Sequence, residues 1–297
     1  MANIKHERRS DQEGADEPLR LAGVFAHPDD ESMGVGGTFA KYAAEGVQTS
    51  LLTATRGQQG WFGAPEAYPG PEELGRIRER ELADATRTLG IKDVELLDYM
   101  DGQLDAADPA EVLRKVVAFL RRVRPQVVLT FDPSGAYGHP DHVAISQYAS
   151  AAVVAAADPA FAAGGELPPF RVSKLYYMAN TAASWSAYES AFGELVMQID
   201  GTERRTRAWE EWEITTRIDT SGYWHRVWEA IACHRSQLPG YQSLLDLPEA
   251  THKRLWGSQP FYRSLSLVTG GRQRETDLFE GLRPPSRSAV AAGPAVR

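Results

Sequence analysis

The chain has 297 residues, with Lys+Arg 32 against Asp+Glu 40, a formal net charge of -8 and a sequence pI near 5.5. That acidic balance argues against sequence-independent nucleic-acid binding, and no apolar run approaches the roughly 20 residues of a membrane span. A single cysteine, Cys233, excludes an internal disulfide framework, and the polar first twenty residues carry no secretory apolar region, so a cytoplasmic location is expected.

Residues 1–18 read as a disordered leader and 284–297 as a disordered tail, because charge, Gly and Pro leave nothing to bury. Between them, 19–283 reads as one domain. Leu21–Ala26 is a short apolar strand, followed by a helix over Ser32–Glu45 that Gly46 ends. Val47–Thr55 is a second strand. Arg56–Gly70 is a long Gly/Pro loop carrying Trp61, Phe62 and Tyr68, and Trp61 with its neighbours is expected to form a substrate lid. A helix starts at Pro71 and runs to Gly90. Val94–Leu97 is a strand, Asp98–Gly102 a polar turn, and Asp108 caps a helix reaching Arg122. Gln126–Phe131 is the most strand-like run, and an alanine-rich helix spans Pro140 to about Ala157. Beyond Phe170 the pattern loosens: strands are predicted at Lys174–Met178, Leu195–Ile199, Ile214–Ile218 and Phe261–Leu267, and a helix over Gly222–Arg235. Strands alternating with helices predict an α/β fold, a single Rossmann-like domain with a mostly parallel central sheet flanked by helices.

Two polar turns stand out. The first strand stops at His27-Pro28-Asp29-Asp30-Glu31, and the Gln126–Phe131 strand leads to Gly138-His139-Pro140-Asp141-His142. In a parallel sheet both turns lie at one edge, the edge where open α/β sheets bind ligands. His27, Asp30 and one or two of His139 and His142 then converge. Two imidazoles and a carboxylate with an open position match a catalytic zinc site, and the same donors suit iron(II). A lone His-Pro-Asp is ordinary turn chemistry; two of them, each after a strand at the same edge, are not. The glycines after the first turn, Gly34, Gly36 and Gly37, do not complete a dinucleotide fingerprint. Phe39 stands at its third position, and the next strand ends in Thr53-Ala54-Thr55 without an acidic residue. They are expected to permit close packing of the helix on the sheet.

The pair AHPDDE (Ala26–Glu31) and GHPDH (Gly138–His142) resembles the PIG-L/LmbE-like family of zinc-dependent N-deacetylases, which act on N-acetylglucosaminyl-phosphatidylinositol and on mycothiol, bacillithiol and glycopeptide precursors. Arg78-x-x-Glu81, Asp101-Gly102 and His234-Arg235-Ser236-Gln237 extend the resemblance over roughly Leu19 to Leu282. It implies an LmbE-like fold and zinc, or iron(II) or another divalent ion, held by His27, Asp30 and His142. It further implies Asp29 as general base, His139 assisting the transition state or leaving group, Tyr137 at the oxyanion, and Arg78 and Asp101 on the sugar. The implied partner is a small N-acetylated amino sugar or GlcNAc-containing conjugate, deacetylated by amide hydrolysis. Two alternatives stand beside it: an amidase taking a larger acyl or thiol-conjugate substrate, and a 2-His-1-carboxylate iron enzyme. His234 receives no role. Trp209, Trp212, Trp224 and Trp228 serve either core packing or sugar stacking.

Overall fold

The computed structural model describes residues 18–193, 196–199, 201–269 and 273–283. The expected leader, apart from Pro18, and the expected tail lie outside them. In chain order the first elements are β1 (Arg20–Phe25), α1 (Asp30–Ala44), β2 (Gln48–Thr55), α2 (Pro71–Leu89), β3 (Asp93–Tyr99) and α3 (Pro109–Val123). They are followed by β4 (Val127–Thr130), a single turn α4 (Gly135–Gly138), α5 (Pro140–Ala155) and β5 (Lys174–Met178). The C-terminal third holds α6 (Ala182–Phe192), β6 (Val196–Ile199), β7 (Thr202–Arg205), β8 (Thr216–Asp219), α7 (Trp224–Ile231), α8 (Gln242–Leu245), α9 (Glu249–Trp256) and β9 (Ser258–Ser266).

The main sheet runs β3-β2-β1-β4-β5-β9-β8. From β3 to β5 every pairing is parallel, and β9 lies antiparallel to both β5 and β8. Its central strands are apolar because both faces are covered: Leu21, Val24, Phe25, Leu51, Leu52, Val127, Val128 and Leu129 are fully buried. Helix α3 presents Val112, Val116, Val117, Phe119 and Leu120 to that core, the stripe expected of an amphipathic helix. Its first turn is held by Asp108, whose carboxylate accepts the Ala110 N–H at 2.9 Å. The order in which strands are added reverses between β1 and β4, with β2 and β3 on one side and β4 and β5 on the other, so the crevice at their carboxyl ends is the fold's natural ligand site.

The glycines of α1 do allow close approach, but toward particular side chains. A Cβ at Gly37 would come within 2.8 Å of Thr220, just before α7. One at Gly34 would come within 2.5 Å of Met178 at the end of β5. The late elements depart most from expectation. The run predicted at Leu195–Ile199, whose Leu195 lies outside the described residues, forms a hairpin with β7 separate from the main sheet. The helix predicted to Arg235 ends at Ile231, where the chain tightens into bonds from Cys233 N–H to Ala230 and from His234 N–H to Ile231. That tightening turns His234 inward.

Candidate active site

The turn after β1 is folded around Asp30. Its Oδ2 accepts the backbone N–H of Ala26 at 3.1 Å and of His27 at 2.8 Å, which fixes the carboxylate beneath the turn. His27 Nδ1 lies 3.1 Å from His142 Nε2 and 3.8 Å from Asp30 Oδ2, and His142 Nε2 lies 3.5 Å from Asp30 Oδ1. A tetrahedral ion with arms of about 2.1 Å holds its ligand atoms about 3.4 Å apart, so these donors have the chemistry and the spacing for a divalent metal. His142 is steadied by the Phe131 ring, stacked at 3.9 Å between centroids.

The far side of His27 explains why Nδ1 faces the other donors. Its Nε2 lies 3.0 Å from Asp101 Oδ1 and 3.1 Å from Asp141 Oδ2, two carboxylates that fix the orientation of the ring. Asp141 is itself held by the N–H groups of Gly102 at 2.7 Å and Leu104 at 3.0 Å. Asp101 accepts the Gln59 N–H at 3.0 Å. Burial alone would lower the His27 pKa, but Asp101, Asp141 and Asp30 outweigh it and raise it to about 10. Burial lifts the Asp30 carboxyl to about 7. Without a cation, this pocket of carboxylates draws a proton onto the ring; a divalent ion answers the same field. Two overlapping triads, His27 with His139 and His142 and His27 with Asp101 and Asp141, also bring donor atoms within 4.8 Å. His27 sends Nδ1 toward His142 and Asp30 and Nε2 toward Asp101 and Asp141, so the two sets of donors lie on different edges of its ring.

Asp29 adopts φ 118°, a strained backbone for a residue with a Cβ. Its N–H donates to Glu31 Oε2 at 3.0 Å, and Glu31 Oε1 in turn meets His234 Nε2 at 2.9 Å, with both side chains fully buried. Each partner stabilises the other's charge against burial, so the Glu31 pKa falls and the His234 pKa rises. The Asp29 side chain is held as firmly. Arg78 Nη2 and the Tyr241 hydroxyl both donate to Oδ2, at 3.0 and 3.1 Å, leaving Oδ1 for the cavity that Asp29 lines. Arg78 also donates to the carbonyls of Pro28 and Gly57. His139 caps α5 by accepting the Asp141 N–H on Nδ1 at 3.2 Å and stacks beside His142 at 4.8 Å. Tyr137 stands edge-on to His142 at 5.2 Å.

Asp29, Asp30, Tyr137, His142 and Tyr241 line a cavity of about 440 Å³ between the ends of β1 and β4, α6 and the Phe62 loop, whereas His27, Arg78 and His139 are not among its lining residues. Several residues lie elsewhere than the sequence suggested. Asp101 and Arg78 are spent on the site's own scaffold. Trp61 is not part of the cavity wall; its indole N–H donates to Ala64 O, and the adjacent Phe62 faces the cavity instead. None of Trp209, Trp212, Trp224 and Trp228 lines it, whereas Trp185 does. Sequence reasoning missed Asp141, Glu31 and Tyr241. Asp141 had a signal, a carboxylate between two histidines, while Tyr241 had none.

With the geometry in view, comparison with known proteins is direct. The model for the PIG-L family, described as GlcNAc-PI de-N-acetylase, matches residues 23–153. A 1D-myo-inositol 2-acetamido-2-deoxy-alpha-D-glucopyranoside deacetylase of Kineococcus radiotolerans is 34% identical over 92% of this chain and 86% of that protein. The chain belongs to the PIG-L family. A deacetylase of the same name from Streptomyces avermitilis is 36% identical, covering 89% of this chain and 98% of its own length. Among solved structures, the conserved protein TT1542 of Thermus thermophilus is 30% identical with a TM-score of 0.59, covering 85% of this chain and 97% of that one. As a PIG-L family member the chain is an amidohydrolase, an N-deacetylase of acetylated amino sugars. No helix among the described residues is long and apolar enough to cross a membrane.

Proposed function

We propose that the chain hydrolyses the N-acetyl amide of an N-acetylglucosamine glycoside, releasing acetate and a free amine, with zinc held by His27, Asp30 and His142. The convergence of those three side chains at 3.1 to 3.8 Å beside Asp29 carries this reading. The relatives' named substrate, 1D-myo-inositol 2-acetamido-2-deoxy-alpha-D-glucopyranoside, is the first compound to assay. A bound divalent ion supplies a Lewis acid that acidifies a water and polarises the amide carbonyl. Asp29 takes the water's proton on Oδ1 while Arg78 and Tyr241 keep Oδ2 engaged. Asp29 then returns that proton to the departing nitrogen, while His139, neutral because burial and His27 hold its pKa down at about 4, accepts the Asp141 N–H on Nδ1 and so presents Nε2–H as a hydrogen-bond donor to the reacting amide. Burial and the nearby Asp30 and Asp29 charges push the Tyr137 hydroxyl pKa well up, so it stays protonated and serves as an oxyanion donor.

Asp29→Asn is expected to retain the metal, measured by elemental analysis, and to lower kcat for acetate release by on the order of 10²–10⁴. A variant with wild-type kcat would remove Asp29 from the base role. Iron(II) suits the same ligands, and metal analysis of anaerobically purified protein distinguishes the two ions.

A further inference from the structure

A second groove, of about 860 Å³, lies on the antiparallel side of the sheet and shares no lining residue with the metal-end cavity. Helix α5 covers this face at β1 and β4, and its Ser150 Oγ meets the Tyr177 hydroxyl of β5 at 2.8 Å. Farther along the sheet the face carries a ladder of rings. Tyr177 stacks on its cross-strand neighbour Tyr262 at 6.4 Å and 22°, and Tyr262 meets Trp209 at 5.0 Å and 30°. Trp209 is held there by its indole N–H, which donates to Asp132 Oδ2 at 3.2 Å. Trp212 lines the same groove and is 79% exposed. The polar side chains of the groove are of two kinds. Arg274 is tied to Glu211 by a hydrogen bond to its carbonyl and an ion pair at 4.0 Å. The Tyr262 hydroxyl and the Gln273 amide have no hydrogen-bond partner among the described residues, and Glu213 commits only Oε2, to the Glu210 N–H at 2.9 Å.

A hydrocarbon in this groove would cover the Tyr262 hydroxyl and the Gln273 amide and leave them unpaired, a penalty set against its apolar contact. An anion would face the free oxygen of Glu213, with the Arg274 charge already answered by Glu211. A cation would gain from the rings and from Glu213 but offers Tyr262 and Gln273 nothing to donate to. A neutral sugar meets every requirement. Its C–H face packs on aromatic carbon, while its hydroxyls donate to Glu213 Oε1 and accept from Gln273 and Tyr262. We infer that this groove is a second saccharide site, separate from the metal end, which takes a neutral sugar ring on Trp209, Trp212 and Tyr262. The ladder is already stacked and anchored through Ser150 and Asp132, so little ordering is left to oppose binding. Trp209 and Trp212 therefore serve sugar stacking, but outside the cavity where the amide is cleaved.

Calorimetric titration of the zinc-loaded enzyme with cellotetraose and with maltotetraose tests this, because neither carries an amide for the metal end to cleave. The expected result is saturable binding of at least one, with a dissociation constant of about 1 mM or tighter. Trp212→Ala, at an exposed position where Tm should not move, is expected to weaken that binding about tenfold, a difference of about 1.4 kcal/mol. The same variant should keep the wild-type kcat/KM for acetate release from the inositol glycoside of N-acetylglucosamine. Asp29→Asn should bind the tetrasaccharide as wild type does. Absence of binding up to about 10 mM, or binding of choline in place of both sugars, would overturn the inference. So would equal binding by Trp212→Ala, loss of binding in Asp29→Asn, or a fall in acetate release that matches the fall in binding.

Discussion

At the scale of single residues, the site depends on groups that never touch the cavity. His234 reaches Glu31 across 203 residues of sequence, and Glu31 holds the N–H of the strained Asp29. Next to His234, Ser236 donates to Glu81 through its N–H at 2.8 Å and its hydroxyl at 2.6 Å, and Gln237 donates to Gly60 O at 2.9 Å. One short segment thus fastens the catalytic turn, α2 and the aromatic loop together. His234→Phe would strand the Glu31 carboxylate in the interior at a cost of about 3–5 kcal/mol, lowering Tm by roughly 6–20 °C and reducing kcat. Calorimetry and acetate release check this together; unchanged Tm and kcat would deny the segment its role. The two turns that carry the candidate metal donors were legible because their chemistry is local, with His27, Asp29 and Asp30 within four residues and His139 and His142 three apart. Glu31, Tyr241 and His234 were not, since a residue in a sequence carries no mark of a partner two hundred positions away.

At the scale of elements, the first half of the fold was readable because each strand, cap and helix announces itself. Asp108 with Pro109 starts α3 as expected, Pro140 opens α5, and the predicted Lys174–Met178 strand is β5. The later elements lack those signals. Helix α6 has no charged first turn, and β7, Thr-Glu-Arg-Arg, is wholly exposed and shows no alternation. Strand β9 was visible as a run, but nothing in its residues states that it returns antiparallel to β5; its pairing decides that. The predicted glycine packing gains a definite partner in Thr220. Gly37→Ala would press a methyl to within 2.8 Å of it, at a cost of about 1–3 kcal/mol. A urea midpoint equal to wild type would show that α1 and the Thr220 turn have room to separate.

At the scale of the whole molecule, the antiparallel edge is locked by a buried charge cluster remote from the catalytic turns. Glu275 meets Lys174 Nζ at 2.9 Å, Arg263 at 2.7 Å, the Tyr176 hydroxyl at 2.6 Å and the Thr216 hydroxyl at 2.9 Å. Burial alone would raise the Glu275 pKa, but these partners outweigh it and lower it to about 2. A folded-state pKa below the unfolded value of about 4.5 contributes stability that is complete above pH 4.5 and lost as pH falls toward 2, about 3 kcal/mol in all. Glu275→Gln should therefore be less stable than wild type at pH 6, with the gap closing as the solution is acidified. Parallel stability curves would assign the acid sensitivity to other groups.

The central claim is that His27, Asp30 and His142 together hold the ion on which amide hydrolysis depends. The most direct measurement is a zinc titration of chelator-stripped wild type and His142→Ala, following acetate release from 1D-myo-inositol 2-acetamido-2-deoxy-alpha-D-glucopyranoside. The expected result is that wild type recovers full activity at one equivalent of zinc, while His142→Ala stays folded and recovers little at the same concentration. Full activity in the stripped enzyme, or identical titration curves for the two proteins, would contradict it.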